Sequence, residues 1–289
     1  SLRCWGGSQA CCRFQTTAGT TPPQCSPRCG SPVCPDCPGW PLPVSLCIRP
    51  ASWQTRFSEW RGRCWGRCPE CNPVGRVYTE EELRKLGEIC RKHHVFVIAD
   101  EIHSDLIFPG HRHHVFASLG EEFAENCAVC HAPSKTFNLA GLSFSCILIP
   151  NQARRERFDQ MFARYCRAHP NFFAPVAAKA AWDHGENWLN SCLSYIQKND
   201  QFVRKFAEDT WHGDVWISPL EGTYLQWIDF RKLEPDAEKL RQKMLYQAHV
   251  AMDEGSMFGP EGNGFERLNL AAPRNLIEEI MNRIAAALR

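Results

Sequence analysis

Residues 95–106 read VFVIADEIHSDL. The first five, Val95–Ala99, form a continuous apolar run rich in β-branched side chains, which is typical of a strand buried on both faces of a parallel sheet. The run stops at Asp100 and Glu101, so we expect these acids at the carboxyl end of the strand. Ligands of open α/β sheets bind at that edge. The stretch therefore predicts an α/β fold with a functional site beside Asp100.

The segments around this strand alternate between helix and strand. Thr79–His93 opens with a threonine and has Glu82 three residues later, the pattern of a capping box, and its apolar residues recur at helical spacing. Ala128–Ala132 and Phe144–Ile149 are further candidate strands. Such an alternation indicates an α/β sheet.

The remainder of the chain mixes helices with short strands and predicts a smaller α+β domain. We expect helices over Asn151–Tyr165, Pro175–Trp182, Trp188 to about Trp211, Asp236–His249 and Asn275–Leu288, and strands over Val215–Ser218, Thr223–Ile228 and Arg267–Leu270. The predicted division is an irregular segment over residues 1–71, a large domain over 72–187 and a small domain over 188–289.

Residues 1–71 differ sharply in composition from the rest. They hold 11 of the 17 cysteines and 10 of the 20 prolines, and their charged residues are eight arginines and three acids, without a lysine. Their formal charge is +5, against −4 for residues 72–289. Neither the helical nor the strand period runs through them, so we expect this segment to be irregular.

Several interpretations of this segment stay open. A disulfide-rich secreted module conflicts with the absence of a recognisable signal peptide. A second interpretation is a zinc site formed by Cys34, Cys37, Cys68 and Cys71, since two CxxC pairs offer four thiolates. CxxC spacings also arise by chance among so many cysteines. Translation in a wrong frame, or mis-splicing, of GC-rich coding sequence also produces arginine without lysine and abundant Cys, Trp, Pro and Gly. We favour this interpretation over the zinc site and over a natural extension.

The overall charge and hydropathy exclude some classes of partner. A net charge of +1 does not favour nucleic acid or an anionic membrane. No apolar run approaches the roughly 20 residues of a spanning helix. We therefore expect a soluble cytoplasmic protein.

Four short motifs occur in a particular order. They are NPVGR at residues 72–76, DEIHSDL at 100–106, APSKTFNLAGL at 132–142 and RLN at 267–269. Each alone is weak, but together the chain from about residue 71 to 289 resembles the fold-type I, pyridoxal-phosphate (PLP)-dependent aminotransferases of class I and II. The second and third motifs are most similar to the cystathionine β-lyase (C–S lyase) branch, which has MalY- and PatB-like members.

This resemblance implies both a fold and a reaction. The implied fold is the type I PLP-dependent transferase fold, a mixed, mostly parallel sheet with a smaller C-terminal α+β domain, in which residues 72–187 form part of the PLP-binding domain. The implied cofactor is PLP, the implied substrate is an amino acid, and the implied assembly is a homodimer. The reaction of the branch is cleavage of cysteine S-conjugates to thiol, pyruvate and ammonia.

Two alternatives to the lyase stay open. One is an aminotransferase of the same fold, because the residues themselves do not separate elimination from amino transfer. The other is a non-catalytic fragment, or a zinc-binding Cys-rich module fused to a partial PLP domain. This second alternative arises because residues 1–71 show no Gly-rich, phosphate-binding turn of the kind that the family places there.

The resemblance also assigns roles to individual residues. Lys135 would hold the cofactor aldehyde through its amine, although a lysine is ordinarily a surface residue. Asp100 would face the protonated ring nitrogen, which would compensate for the cost of a buried carboxylate. Arg267 would bind the substrate carboxylate with its guanidinium fork.

Three further residues are implied to lie near the cofactor. Asn72 would contact the ring hydroxyl, and is otherwise simply a turn residue. His103 takes the place where many aminotransferases carry a tyrosine near the same hydroxyl. Ser134 either is structural or bonds near the phosphate. The loop histidines His111, His113 and His114 are expected at the surface rather than as metal ligands.

Overall fold

The computed structural model describes residues 64–67, 70–165 and 171–289, with side chains from 72 to 164 and from 171 onward. The strands are β1 (Cys64–Arg67), β2 (Glu70–Cys71), β3 (Arg76–Val77), β4 (Phe96–Asp100), β5 (Cys127–His131), β6 (Cys146–Leu148), β7 (Trp216–Ile217), β8 (Leu225–Asp229), β9 (Asp253–Glu254) and β10 (Phe265–Asn269). The helices are α1 (Glu80–Lys92), α2 (Glu121–Ala124), α3 (Pro133–Thr136), α4 (Gln152–Tyr165), α5 (Ala174–His184), α6 (Glu186–Trp211), α7 (Ala237–Gln242) and α8 (Arg274–Ala287).

The strands pair into a mixed sheet and an antiparallel sheet. In the first sheet the order is β1-β4-β5-β6, with β1, β4 and β5 parallel and β6 antiparallel to β5. In the second the order is β7-β8-β10-β9, antiparallel throughout. The short strands β2 and β3 pair with each other. This arrangement confirms the predicted α/β fold with a mostly parallel sheet and an α+β C-terminal part.

Helix α1 forms because its first turn satisfies its own backbone donors. The Thr79 hydroxyl accepts from the Glu82 amide at 3.2 Å, and the Glu82 carboxylate accepts from the Thr79 amide at 2.9 Å. The predicted capping box is therefore confirmed. Leu83 and Leu86 on the inner face are buried in a core shared with β4.

Strand β4 is buried on one face rather than on both. Val97 and Ala99 lie in the core with α1, whereas Phe96 and Ile98 on the opposite face are half-buried. The guanidinium of Arg154 in α4 lies 4.8 Å from the Phe96 ring centroid. Among the described residues, this face has the amphipathic side chain of Arg154 against it rather than an apolar layer, so the prediction of full burial on both faces is wrong for Phe96 and Ile98.

A second core lies between the antiparallel sheet and the two long helices α6 and α8. Its fully buried members include Ile196 and Val203 of α6, Ile228 of β8, and Ile277 and Ile284 of α8. The predicted helix over Asp236–His249 is observed as α7 continued by a π-helical turn through Gln247. None of the helices in the described residues is both long enough and apolar enough to cross a bilayer.

Backbone hydrogen bonds join the two parts of the chain. The Gly75 carbonyl accepts from the Glu221 amide at 2.8 Å and from the Gly222 amide at 3.0 Å, and the Leu106 carbonyl accepts from the Thr223 amide at 2.7 Å. The loop after β4 and the turn that contains Asn72 are thereby held against the C-terminal sheet.

Candidate active site

The candidate site lies where β4 and β5 end. These strands are parallel neighbours, and Asp100 and Cys130 are partners in the register. The chain leaves β4 into the DEIHSDL loop and leaves β5 into α3, which contains Lys135. Because both exits lie at the same edge of the sheet, the two motifs meet there.

Asp100 is exposed at the carboxyl end of β4. Its carboxylate accepts from the Ile102 amide at 3.4 Å. Burial, together with the negative charges of Asp100 and Glu101, raises the pKa of the Cys130 thiol to about 12. The carboxylates of Asp100 and Glu101 therefore place negative charge beside Cys130 at this edge of the sheet.

Lys135 lies in the single helical turn α3. Pro133 occupies the first turn of α3, where a fixed φ favours the helix, and its carbonyl accepts from the Phe137 amide at 2.9 Å. The Lys135 side chain is exposed. The Lys135 amine is therefore accessible from solvent in the described residues.

His103 is the buried polar residue of the site. Its side chain is 3% exposed, and its Nδ1 makes no hydrogen bond to the described residues. Its ring lies edge-on to Tyr224, with 5.6 Å between centroids. Burial, and to a lesser extent the positive charges of Lys135 and Arg267, lower the pKa of His103 to about 4. His103 is therefore neutral at pH 7 and lies within electrostatic range of both cations.

Arg267 is held between two parts of the chain. Its Nη1 donates to Asn72 Oδ1 at 2.5 Å, across 195 residues, and its Nε and Nη2 donate to Asp253 Oδ2 at 3.2 and 2.5 Å. The guanidinium lies 4.8 Å from the Phe258 ring centroid. Since a guanidinium has five N–H donors, these contacts leave donors for a carboxylate.

The structure thus brings together Asn72, His103, Lys135 and Arg267 from four distant segments, with Asp100 on the same edge of the sheet. Ser134 lies beside Lys135 in α3 and is half-buried. The placement of these residues is compatible with the predicted roles, which stay predictions.

Several residues of the site were not predicted from the sequence. They are Asp105, Tyr224, Asp253 and Phe258. Asp105 lies inside the DEIHSDL motif, so the motif could have marked Asp105 as a residue of the site. The other three reach Arg267 or His103 through pairing and packing of β8, β9 and β10, and no local pattern indicates such long-range contacts.

The expectation that His113 is a surface residue is wrong. His113 Nε2 lies 2.8 Å from Glu101 Oε2, and the two side chains are 11% and 3% exposed. The other Glu101 oxygen accepts from the Phe116 amide at 2.9 Å. A buried carboxylate requires such partners. Contacts with Glu101 therefore hold His113 and the Phe116 backbone against the core. His111 is exposed, as expected, and His114 is half-buried.

The predicted zinc ligands cannot be placed. Cys34, Cys37 and Cys68 lie outside the described residues, and only the backbone of Cys71 is described. The zinc site therefore stays a prediction. The described part of the chain has no group of three or more His, Cys, Asp or Glu side chains placed to bind a metal.

Comparison with known proteins places the chain in a family. The family model for aminotransferase class I and II matches residues 68–284. The chain is 40% identical over 235 residues to cystathionine beta-lyase PatB of Bacillus subtilis (strain 168), a match of 81% of this chain and 60% of that protein. It is 30% identical over 223 residues to Protein MalY of Escherichia coli (strain K12), a match of 77% of this chain and 56% of that protein.

Solved structures agree with this assignment. The structure of cystalysin from Treponema denticola, which contains a pyridoxal 5′-phosphate cofactor, matches with a TM-score of 0.78 and 38% identity over 82% of this chain and 61% of that one. The chain thus spans about 60% of the length of relatives that it matches. These matches confirm the resemblance to the cystathionine β-lyase branch. The chain belongs to the class I and II aminotransferase family.

Proposed function

We propose that this chain forms part of a PLP-dependent C–S β-lyase that cleaves cysteine S-conjugates to thiol, pyruvate and ammonia. One observation supports this proposal most strongly. Arg267 bonds to Asn72, and the charges of Lys135 and Arg267 act on His103. These residues meet at the edge of the sheet where β4 ends with Asp100. The 40% identity to a cystathionine β-lyase supports the choice of reaction.

The residues at this edge fit PLP. Asp100 offers an anion for the ring nitrogen, and the exposed Lys135 amine is accessible to an aldehyde. His103 Nδ1 is buried without a hydrogen bond to the described residues, and a buried polar atom of this kind is normally satisfied by a partner. A polar substituent of the cofactor ring, reached also by Asn72, would supply that partner. Ser134 is our candidate for a contact near the phosphate.

The side chains would divide the reaction among them. Bound PLP would supply an aldehyde for the Lys135 amine and an electron-withdrawing ring, with Asp100 placed to hold the ring nitrogen protonated. Arg267 binds the substrate carboxylate and so orients Cα. Lys135 removes the Cα proton as a general base. The Cβ–S bond would then break, and the sulfur would leave as the thiol with the proton that Lys135 removed from Cα. Water would convert the remaining fragment to pyruvate and ammonia.

Asp100 and His103 maintain the charge balance of this site. Asp100 keeps the ring nitrogen protonated through its negative charge. His103 is neutral at pH 7 because its pKa is lowered to about 4, so it offers a hydrogen bond without adding a third cation beside Lys135 and Arg267.

The proposal extends to location and assembly. An amino-acid substrate, a cytoplasmic location and a homodimer follow the family resemblance. The near-neutral charge of +1 supports a small-molecule partner. Phe172 and Phe173 are exposed large aromatics whose rings contact each other, and exposed apolar clusters commonly mark association surfaces.

Substitution of Lys135 tests the proposed reaction. Loaded with PLP, the wild-type chain should release thiol and pyruvate from an S-substituted cysteine, and Lys135→Ala should reduce that rate by at least about 1000-fold. Lys205→Ala, an exposed lysine on α6 paired with Asp209, is the control and should match the wild type. The rates are measured with a thiol reagent and a coupled pyruvate assay on variants with equal far-UV circular dichroism.

The same experiment separates the alternatives. Lys135→Ala protein that keeps both the cofactor absorbance and thiol release would contradict the assignment. Amino transfer to a 2-keto acid without thiol release would favour an aminotransferase, the second candidate, which the family model also covers. A wild-type chain that neither binds PLP nor releases thiol would favour the non-catalytic fragment.

A further inference from the structure

The geometry points to Asp105 as a positioning residue, which acts through the Thr136 hydroxyl to determine where the Lys135 amine lies. The inference rests on the proposed function, in which Lys135 holds the cofactor. It goes further by assigning a task to two residues, Asp105 and Thr136, that have no role in the proposed reaction.

The contact itself is short and protected. Thr136 Oγ1 donates to Asp105 Oδ2 at 2.9 Å, and the Thr136 side chain is 2% exposed. A hydrogen bond to an ionised carboxylate is stronger than one between neutral groups. Because Thr136 directly follows Lys135 in α3, this bond fixes the backbone next to the reactive lysine.

Helix α3 needs such an anchor. It has four residues, Pro133–Thr136, and helices of a single turn do not hold their shape by themselves, since nucleation is unfavourable. The turn also lacks a side-chain hydrogen bond from its N-cap residue, Ala132. The bond from Thr136 to Asp105 supplies a tertiary restraint that the local sequence does not.

Asp105 in turn is held from its other side. His131 Nε2 lies 4.0 Å from Asp105 Oδ2. The opposite ring atom, His131 Nδ1, lies 3.2 Å from Ser104 Oγ and 3.1 Å from the Glu101 carbonyl oxygen. The imidazole stacks on Trp182, with 5.4 Å between ring centroids. Asp105 is therefore surrounded by fixed groups although its side chain is 30% exposed.

The same turn contains His103. The Leu106 amide donates to the His103 carbonyl at 2.9 Å, and Leu106 is buried. Asp105 lies inside this closed turn, two residues after His103. One hydrogen bond, from Thr136 to Asp105, therefore couples the position of Lys135 to that of His103. Small displacements of a reacting group can reduce a rate about 100-fold, so the coupling matters for proton transfer at Cα.

Three variants and one control test the inference in the full chain. Thr136→Val removes the hydroxyl while keeping the shape, Thr136→Ser keeps the hydroxyl, and Asp105→Ala removes the acceptor. Ser118→Ala is the control, because its hydroxyl donates to the Val115 carbonyl at 2.8 Å on an exposed 3-10 turn.

The first readout needs no cofactor. The rate at which an amine-reactive reagent labels Lys135 in the cofactor-free chain is measured by peptide mass spectrometry. We expect Thr136→Val and Asp105→Ala to raise this rate at least about threefold, because the turn that contains Lys135 becomes mobile. Thr136→Ser and Ser118→Ala should stay within about twofold of the wild type.

The second readout uses the loaded chain. The pH at which the absorbance of bound PLP changes should shift in Thr136→Val and Asp105→Ala, and kcat for thiol release should fall about 10- to 100-fold with little change in KM. Thr136→Ser should restore both quantities.

The outcomes separate this inference from the proposed function. Labelling rates and spectra equal to those of the wild type in folded Thr136→Val and Asp105→Ala proteins would overturn the positioning role. If Thr136→Val fails to fold, Asp105→Ala decides, since its side chain is partly exposed. A wild-type chain that does not bind PLP would contradict the proposed function. The labelling rates of the cofactor-free chain would still show whether Asp105 positions Lys135.

Discussion

Two buried titratable side chains, His103 and Glu266, have pKa shifts of opposite sense. Burial and the charges of Lys135 and Arg267 lower the pKa of His103 to about 4. Burial and the charges of Glu254 and Asp253 raise the pKa of Glu266 to about 8. Both side chains are therefore neutral at pH 7, as is usual for groups that would lose hydration if charged.

The His103 shift predicts a loss of stability in acid. Between about pH 6.5 and pH 4 the unfolded histidine binds a proton and the folded one does not, so the free energy of unfolding falls as the pH drops through this window, by up to roughly 3 kcal/mol. His103→Gln should flatten this dependence in urea unfolding between pH 4 and pH 7.5. An unchanged slope would show that His103 is not buried as described.

The Glu266 shift predicts the reverse dependence. Between pH 4.5 and about pH 8 the folded carboxyl keeps a proton that the unfolded one loses, so its contribution to stability disappears as the pH rises through that range. Glu266→Gln should therefore raise the melting temperature at pH 8.5 but not at pH 4.5. Glu279→Gln, on the exposed face of α8, is the control, and an equal gain at both pH values would contradict the prediction.

At the scale of elements, local patterns predicted what local interactions determine. Helix α1 and strand β4 were both predicted correctly. Their signals, the capping box of Thr79 and Glu82 and the apolar run of β4, each occupy one short continuous stretch of sequence. The strand β9 and the turn α3 have two and four residues, too few for any periodicity. They exist because of tertiary pairing with β10 and with Asp105, which the local sequence does not reveal.

Gly75 links the elements on either side of the site. It has φ +78°, and an added Cβ would lie 3.0 Å from Leu220 Cδ1 and 3.1 Å from the Leu225 carbonyl oxygen. Gly75→Ala should destabilise the chain by about 2 kcal/mol or more, because it adds a steric clash to the strain of a positive φ. Gly110→Ala is a matched control, with φ +93° and open space around the Cβ. Equal midpoints of urea unfolding for both variants would contradict the described packing at Gly75.

At the scale of the whole molecule, the site joins both parts of the chain. Arg267 comes from the C-terminal sheet and bonds to Asn72, which precedes the first helix. The motifs predicted these two residues and also His103 and Lys135. They did not predict Tyr224 or Asp253, since their proximity depends on how the sheet pairs β8, β9 and β10.

This arrangement predicts how substitutions of Arg267 affect catalysis. Arg267→Ala should lower kcat/KM for the amino acid about 10- to 100-fold, because it removes charge-assisted hydrogen bonds to the substrate carboxylate. Arg267→Lys keeps the positive charge but loses the paired N–H donors of the guanidinium, so its kcat/KM should lie between those of Arg267→Ala and the wild type. Arg283→Ala, on exposed α8, is the control. Wild-type kinetics for Arg267→Ala would refute the assigned role.

The account depends on a covalent bond between Lys135 and PLP, and mapping that bond is its most direct test. The full chain is incubated with PLP, the lysine–cofactor bond is fixed with borohydride, and the modified peptide is identified by mass spectrometry. We predict a single predominant adduct on Lys135. An adduct spread over exposed lysines such as Lys179 and Lys205, with Lys135 unmodified, would contradict the account.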